Sequence, residues 1–216
     1  MTTTADIPAD LITPLGAYLV LRSAGRAAFL LESVERGRLG RYSFVGCGSR
    51  IVDLDEAERC GAPVVGYVGY DHVAKLEPTV PLPDEGPDLP ESRFVVAETL
   101  VRFDHALGVA DVLHGDAGAV GELLTVPAGP VPVAAVQTRP AETRRFGAGA
   151  AYERAVAVAQ EHIRAGDAFQ IVLSQRAERP TSVSALALYR SLRRVNPSPY
   201  LFLLELGELA LVGSSP

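Results

Sequence analysis

Ala165-Gly-Asp-Ala-Phe-Gln-Ile-Val-Leu-Ser-Gln-Arg176 and Val195-Asn-Pro-Ser-Pro-Tyr-Leu-Phe202 are the two stretches that set the reading of this chain. Gly166 stands where a C′ glycine ends a helix. Upstream of it Tyr152, Ala155, Val156, Ala159 and Ile163 recur at helical spacing and make one apolar face. Phe169, Ile171 and Leu173 alternate with Gln170, Val172 and Ser174, which predicts a strand with one buried face. Ser184 is placed as the N-cap of a second helix, with Leu188, Tyr189, Leu192 and Val195 on its inner side. Asn196-Pro197 stops that helix, because the residue before a proline is pushed out of the α region. Tyr200–Glu205 and Leu209–Val212 then pair as a hairpin about Gly207-Glu208. From Ala151 to Pro216 the order is helix, strand, helix, strand, strand.

The first half reads as β-rich. Ala17–Leu21, Ala27–Glu32, Tyr42–Cys47 and Arg50–Leu54 are short runs with β-branched or aromatic content between Gly- and Arg-rich turns. Val64–Tyr70 carries two glycines within an apolar run, the mark of a bulge or a close backbone approach. Thr79–Ser92 is a proline-rich surface loop. Arg93–Phe103 and Leu107–Leu113 read as two strands joined at Asp104-His-Ala, Gly118–Leu124 as a short helix and Thr138–Gly149 as a linker. No internal repeat is evident. The fold class expected is α+β, with mostly antiparallel sheets and flanking helices.

The 216 residues are 48% hydrophobic, enough for a sizeable core, and the net charge of −6 offers no basic stripe for nucleic acid. Cys47 and Cys60 are not in CxxC spacing, and a chain of this size with two cysteines needs no disulfide framework, so a reducing, cytoplasmic setting is the simpler expectation. No signal-type leader and no membrane-length apolar run is present. His72, His105, His114 and His162 lack a second metal-type ligand at useful spacing. There is no GxSxG elbow, Gly46-Cys-Gly48 lacks the third glycine of a dinucleotide loop, and Asp53, Asp55 and Glu56 read as a solvated turn. Phe202 and Leu204 read as core. The residues alone offer no active site.

Five segments in order resemble component I of anthranilate synthase, a chorismate-utilising enzyme. They are Leu11-Ile-Thr-Pro-Leu-Gly-Ala-Tyr18, Phe29-Leu-Leu-Glu-Ser33, Gly40-Arg-Tyr-Ser-Phe-Val-Gly46, Val65-Gly-Tyr-Val-Gly-Tyr-Asp71, and Tyr152 through Ser215. The resemblance implies an N-terminal regulatory region over residues 1–145 and the incomplete start of a chorismate-binding domain over 146–216. The component I of aminodeoxychorismate synthase is the sibling alternative; Ile171-Val-Leu-Ser-Gln175 and Asn196-Pro-Ser-Pro-Tyr-Leu-Phe202 look more like the anthranilate branch.

In that family the N-terminal region carries a feedback site for tryptophan. By resemblance Leu31, Glu32 and Ser33 form one wall of it and Pro199, Tyr200 and Leu201 the other. Glu32 would accept from the ammonium, Ser33 and backbone N–H groups would donate to the carboxylate, and Pro199 and Tyr200 would frame a flat apolar slot for the indole. The family's catalytic residues, including those that hold Mg²⁺, lie beyond residue 216, so this chain is expected to carry no catalytic residue, no metal site and no cofactor, and to make no anthranilate alone. The stretch from Gly46 to Gly66 is also shorter than the family's. The partners implied are L-tryptophan and a glutamine amidotransferase subunit or a complementing C-terminal half, with neither nucleic acid nor membrane. A standalone tryptophan-binding or subunit-docking module is the other reading.

Overall fold

A computed structural model describes residues 6–33, 40–82, 86–126, 129, 142–147 and 149–215. The chain forms two compact units. One comprises residues 1–133 together with 184–216, the other residues 134–183. The last helix and hairpin belong to the same unit as the first half of the chain.

The larger unit is built on a seven-stranded antiparallel sheet. Its strands run in the order β1 (Asp6–Pro8), β8 (Val109–His114), β7 (Thr99–Asp104), β3 (Tyr42–Gly48), β2 (Ala27–Glu32), β11 (Tyr200–Leu206), β12 (Leu209–Ser215). Helices α1 (Pro14–Leu21), α4 (Ala117–Leu124) and α6 (Ala185–Val195) cover one face, where Tyr18, Leu30, Val45, Val101, Tyr189 and Leu203 share a buried core. A second sheet, β4 (Arg50–Val52), β6 (Ser92–Val96), β5 (Val64–Val68), lies against part of the other face. Val95 there and Ala97 just beyond its end meet Ala27, Phe29, Leu204 and Leu206. Helices α2 (Leu54–Arg59) and α3 (Val73–Leu76) accompany this smaller sheet.

Several elements differ from expectation. The run Ala17–Leu21 is helical, not extended. Thr13 caps it by accepting from the Gly16 N–H at 3.0 Å, Pro14 fits the first turn, and Ala17, Tyr18 and Leu21 are buried by helical spacing. The strand at Arg50 ends at Val52 because Asp53 accepts from the Glu56 N–H and starts α2; Asp55 and Glu56 lie in its first turn, where carboxylates are favoured. The run Arg93–Phe103 is two strands in two sheets. The break comes at Ala97-Glu98, where the Ala97 N–H donates to Pro63 and the Glu98 N–H to Cys47.

The smaller unit holds α5 (Ala150–Ala165) and the antiparallel pair β9 (Arg144–Phe146) and β10 (Arg176–Glu178). Gly166 ends α5 in the left-handed region, with φ 86°. Arg144 and Arg176 flank the Phe146 ring. The strand expected over Phe169–Leu173 is absent: Phe169 and Val172 are exposed, and no described strand lies beside the segment to complete a ladder. The expected linker Thr138–Gly149 lies partly outside the described residues; its described part contributes β9.

The chain does contain a repeat, contrary to the sequence reading. Thr13 caps α1 and Ser184 caps α6, each hydroxyl accepting from the N–H three residues on. Tyr18 and Arg22 in the first copy match Tyr189 and Arg193 in the second. Phe29-Leu-Leu-Glu32 on β2 matches Phe202-Leu-Leu-Glu205 on β11, and Val45-Gly46 on β3 matches Val212-Gly213 on β12. The register relates the copies by a local two-fold through the Leu30–Leu203 pair. Phe29 faces Gly46 and Phe202 faces Gly213, and a Cβ on either glycine would collide with the ring. The spacer between the helix and its strand differs between copies, which hid the match.

Candidate functional site

The two copies exchange side chains across the sheet. Glu32 ends β2 and is 5% exposed. Its carboxylate accepts from Tyr189 Oη at 2.6 Å, from Arg193 Nε at 2.7 Å and from Arg193 Nη2 at 2.9 Å, all from α6. Glu205 on β11 accepts from Tyr18 Oη and, at 2.9 Å, from Arg22 Nη2. Each helix thus grips the glutamate of the other copy. Burial, reinforced by the Glu32 charge, pushes the Tyr189 phenol well above its ordinary value; burial and the bond to Glu205 do the same to Tyr18. Both tyrosines therefore act as permanent donors.

On the opposite face the two copies part company. Over Phe29, Leu204 and Leu206 lie Val95 of the smaller sheet and Ala97 just beyond its end. Over the two-fold counterparts of that region a cavity of about 350 Å³ remains, lined by Leu31, Glu32, Ser33, Tyr42, Phe44, Pro199, Tyr200, Leu201 and Phe202. Ligand pockets generally span about 300–1,000 Å³, so its size suits a single amino acid. Phe202, Leu31 and Phe44 face one another across three adjacent strands and form its apolar floor. Phe202 lies over Gly213, and the Tyr42 ring is packed beneath two guanidiniums, Arg41 at 4.9 Å and Arg102 at 5.1 Å from its centroid. Those arginines are themselves held by Asp104 and Asp111.

All six residues named from the sequence border this one cavity, although the two walls are far apart in the chain. They do not contribute alike. Side chains alternate along a strand, so Leu31 and Phe202 take the cavity face while Glu32 and Leu201, which pair directly, take the helix face. The Glu32 carboxylate is thus committed to Tyr189 and Arg193, and its expected use as an acceptor for a ligand's ammonium does not match the geometry. The Ser33 N–H donates to Ser43 Oγ at 3.3 Å, and Ser43 Oγ lies 2.8 Å from His105 Nε2. Tyr200 is half exposed at the rim, its N–H donating to Ser198 Oγ at 3.1 Å. Sequence reasoning missed Tyr42 and Phe44; it read Phe202 as core, and Phe202 does pack against the cluster of Phe29 and Leu204 while also bordering the cavity.

A second, larger cavity of about 540 Å³ lies between α1 and the end of α4. It is lined mainly by Leu11, Ile12, Val20, Leu124 and Val126, with Asp10 its one charged residue. It gathers no converging polar set. Among the described residues no group of three or more His, Cys, Asp or Glu is placed to hold a metal. These residues do not fit the Mg²⁺ site that the resemblance implies for full-length relatives. Among the described residues no helix is long and apolar enough to cross a membrane.

The family model described as chorismate binding enzyme matches residues 28–216. The chain belongs to the chorismate binding enzymes. Within that family it is similar to anthranilate synthase component 1 of Thermus thermophilus, 38% identical over 250 residues, covering 96% of this chain and 54% of the relative. The probable anthranilate synthase component 1 of Schizosaccharomyces pombe is 34% identical and is matched over 97% of this chain and 52% of its own length. The chain therefore spans about half the length of these curated relatives. The Thermus alignment is longer than the chain itself, so that relative carries residues within the matched span that this chain lacks. The fold is shared with anthranilate synthase component I of Streptococcus pneumoniae, at a TM-score of 0.61 and 23% identity, over all of this chain and 58% of that one. It is also shared with the isochorismate synthase MenF of Escherichia coli, at a TM-score of 0.54 and 15% identity, over 99% of this chain and 49% of that one.

Proposed function

We propose that this chain serves as the N-terminal, regulatory portion of an anthranilate synthase component I, and that its cavity takes L-tryptophan. The whole enzyme would convert chorismate and ammonia, delivered by a glutamine amidotransferase subunit, to anthranilate and pyruvate with Mg²⁺, in the cytoplasm. The observation that carries the reading is that two segments of the family pattern, Leu31–Ser33 and Pro199–Leu201, border one cavity of amino-acid size.

The chemistry of the lining supports a flat apolar side chain over a sugar or a phosphate. Leu31, Phe44 and Phe202 offer dispersion contacts on the floor, and Tyr42, Pro199 and Tyr200 offer flat walls. Polar groups gather at the strand ends, where Ser33 and backbone groups would meet the ammonium and carboxylate of a zwitterion. With Glu32 engaged on the helix face, neutral acceptors would receive the ammonium. By the same logic the chain alone would bind and not turn over: the described residues converge no nucleophile, base or metal ligands in this cavity.

Calorimetric titration tests the reading. L-Tryptophan should bind at one site per chain, and D-tryptophan, which presents its charged groups to the wrong partners, should bind much more weakly. In parallel, chorismate, ammonium and Mg²⁺ added to the chain should yield no anthranilate fluorescence. Binding without turnover also fits a standalone tryptophan-sensing module; addition of a polypeptide carrying the remaining half of a relative separates the two, since only the enzyme reading expects activity to appear.

A further inference from the structure

We propose that Tyr189 and Arg193 are positioning residues for the ligand cavity, acting through Glu32 on the Leu31–Ser33 wall. The proposal rests on the reading that this cavity binds an amino acid. Three observations lead to it. First, the wall is the end of a strand, where a ladder alone holds the backbone weakly. Second, the end is pinned from the far side of the sheet by three hydrogen bonds to Glu32, at 2.6, 2.7 and 2.9 Å. Third, the repeat supplies the same Tyr–Arg grip a second time, from Tyr18 and Arg22 to Glu205, at a place where the face opposite is filled by the smaller sheet.

The twin matters because it separates two roles that usually coincide. Both grips satisfy a glutamate and tie a helix to the sheet, so both contribute to stability. Of the two grips, that of Glu32 lies directly behind a wall of the ligand cavity, whereas Arg22 and Glu205 border a different one. Glu32 is flanked in sequence by Leu31 and Ser33, whose side of the strand faces the cavity, and it pairs across the ladder with Leu201 from the other wall. Glu205 pairs with Ala28 and Ala210 within the sheet, between strands on both sides. Loosening Glu32 therefore moves both cavity walls, whereas loosening Glu205 moves neither.

The test compares matched variants in the full chain: Tyr189→Phe and Arg193→Met against Tyr18→Phe and Arg22→Met. Tyr→Phe removes one hydroxyl and keeps the packing, so the fold is retained if either arginine variant fails to fold. Two readouts are taken. Without ligand, amide hydrogen exchange at Leu31–Ser33 and Tyr200–Phe202 should quicken about tenfold in the first pair and stay unchanged in the second. With L-tryptophan, the dissociation constant should rise about tenfold in the first pair and stay within twofold of wild type in the second. Equal effects from both pairs, or none from either, would overturn the positioning role. Failure of the wild-type chain to bind tryptophan would sink the ligand assignment instead, and the exchange comparison would still decide whether Tyr189 and Arg193 hold the wall.

Discussion

Arg193 reaches Glu32 from 161 residues further along the chain and binds both carboxylate oxygens, at 2.7 and 2.9 Å. The Glu32 side chain is buried, whereas the Arg193 side chain is 40% exposed. Loss of the two partners is therefore unequal. Arg193→Met strands a buried charge with only the Tyr189 hydroxyl, whereas Glu32→Gln leaves a partly exposed arginine that water can serve. We expect Arg193→Met to cost about 2–4 kcal/mol and Glu32→Gln about 1–2 kcal/mol, read as lower urea midpoints at unchanged slope. Equal losses would show that burial of the glutamate is not what sets the energy.

The two ring-over-glycine contacts give a second comparison. A Cβ at Gly46 would strike both the Phe29 ring and the Thr99 carbonyl on the neighbouring strand, and the backbone there has no room to retreat. A Cβ at Gly213 would strike first the Phe202 ring, which borders a cavity into which it can move. Gly46→Ala should cost about 3 kcal/mol or more, and Gly213→Ala about 1 kcal/mol. Thermal melts check the stability ranking. Gly213→Ala should also weaken tryptophan binding, since the displaced ring would enter the space proposed for the ligand.

Much of this architecture could be read from residue patterns, and the failures have physical causes. The hairpin about Gly207, the cap at Ser184 and the helix stop at Gly166 follow from local rules, and local rules sufficed. Ala17–Leu21 misled because an apolar run has no period of its own; the cap at Thr13 and the proline after it should have outweighed composition. The strand expected at Phe169–Leu173 has the right alternation, but alternation specifies a face and not a partner. The two walls of the cavity were legible only through family likeness, since nothing local joins Ser33 to Tyr200. The commitment of Glu32 to α6 needed the sheet register, because one step along a strand turns a side chain to the other face.

That failed strand yields a third prediction. Amides from Phe169 to Ser174 should exchange with solvent near the unprotected rate, while those of β11 exchange slowest. Protection of the segment would mean that it forms a ladder in solution.

Acid should weaken the wall around Tyr42. The Arg41 guanidinium, donating to both carboxylate oxygens, and the N–H groups of Ala106 and Leu107 hold the Asp104 carboxyl below the usual aspartate range. A carboxylate with a lowered native value stabilises the fold fully above its unfolded value of about 3.9, and that contribution is lost as pH falls through the native value. Melting temperature should therefore drop on acidification below about pH 4, and Asp104→Asn should melt lower at neutral pH but show a shallower acid limb. Parallel acid limbs in the two proteins would remove Asp104 from the account.

The chain has no tryptophan of its own, so an added L-tryptophan is the sole indole in the sample. Its emission reports directly on the polarity around it. Titrating protein into dilute L-tryptophan should shift the emission to shorter wavelength and saturate at one ligand per chain, and the shift should be lost in Phe202→Ala. An emission maximum that stays at its value in water up to the highest soluble protein concentration would contradict the assignment of the cavity.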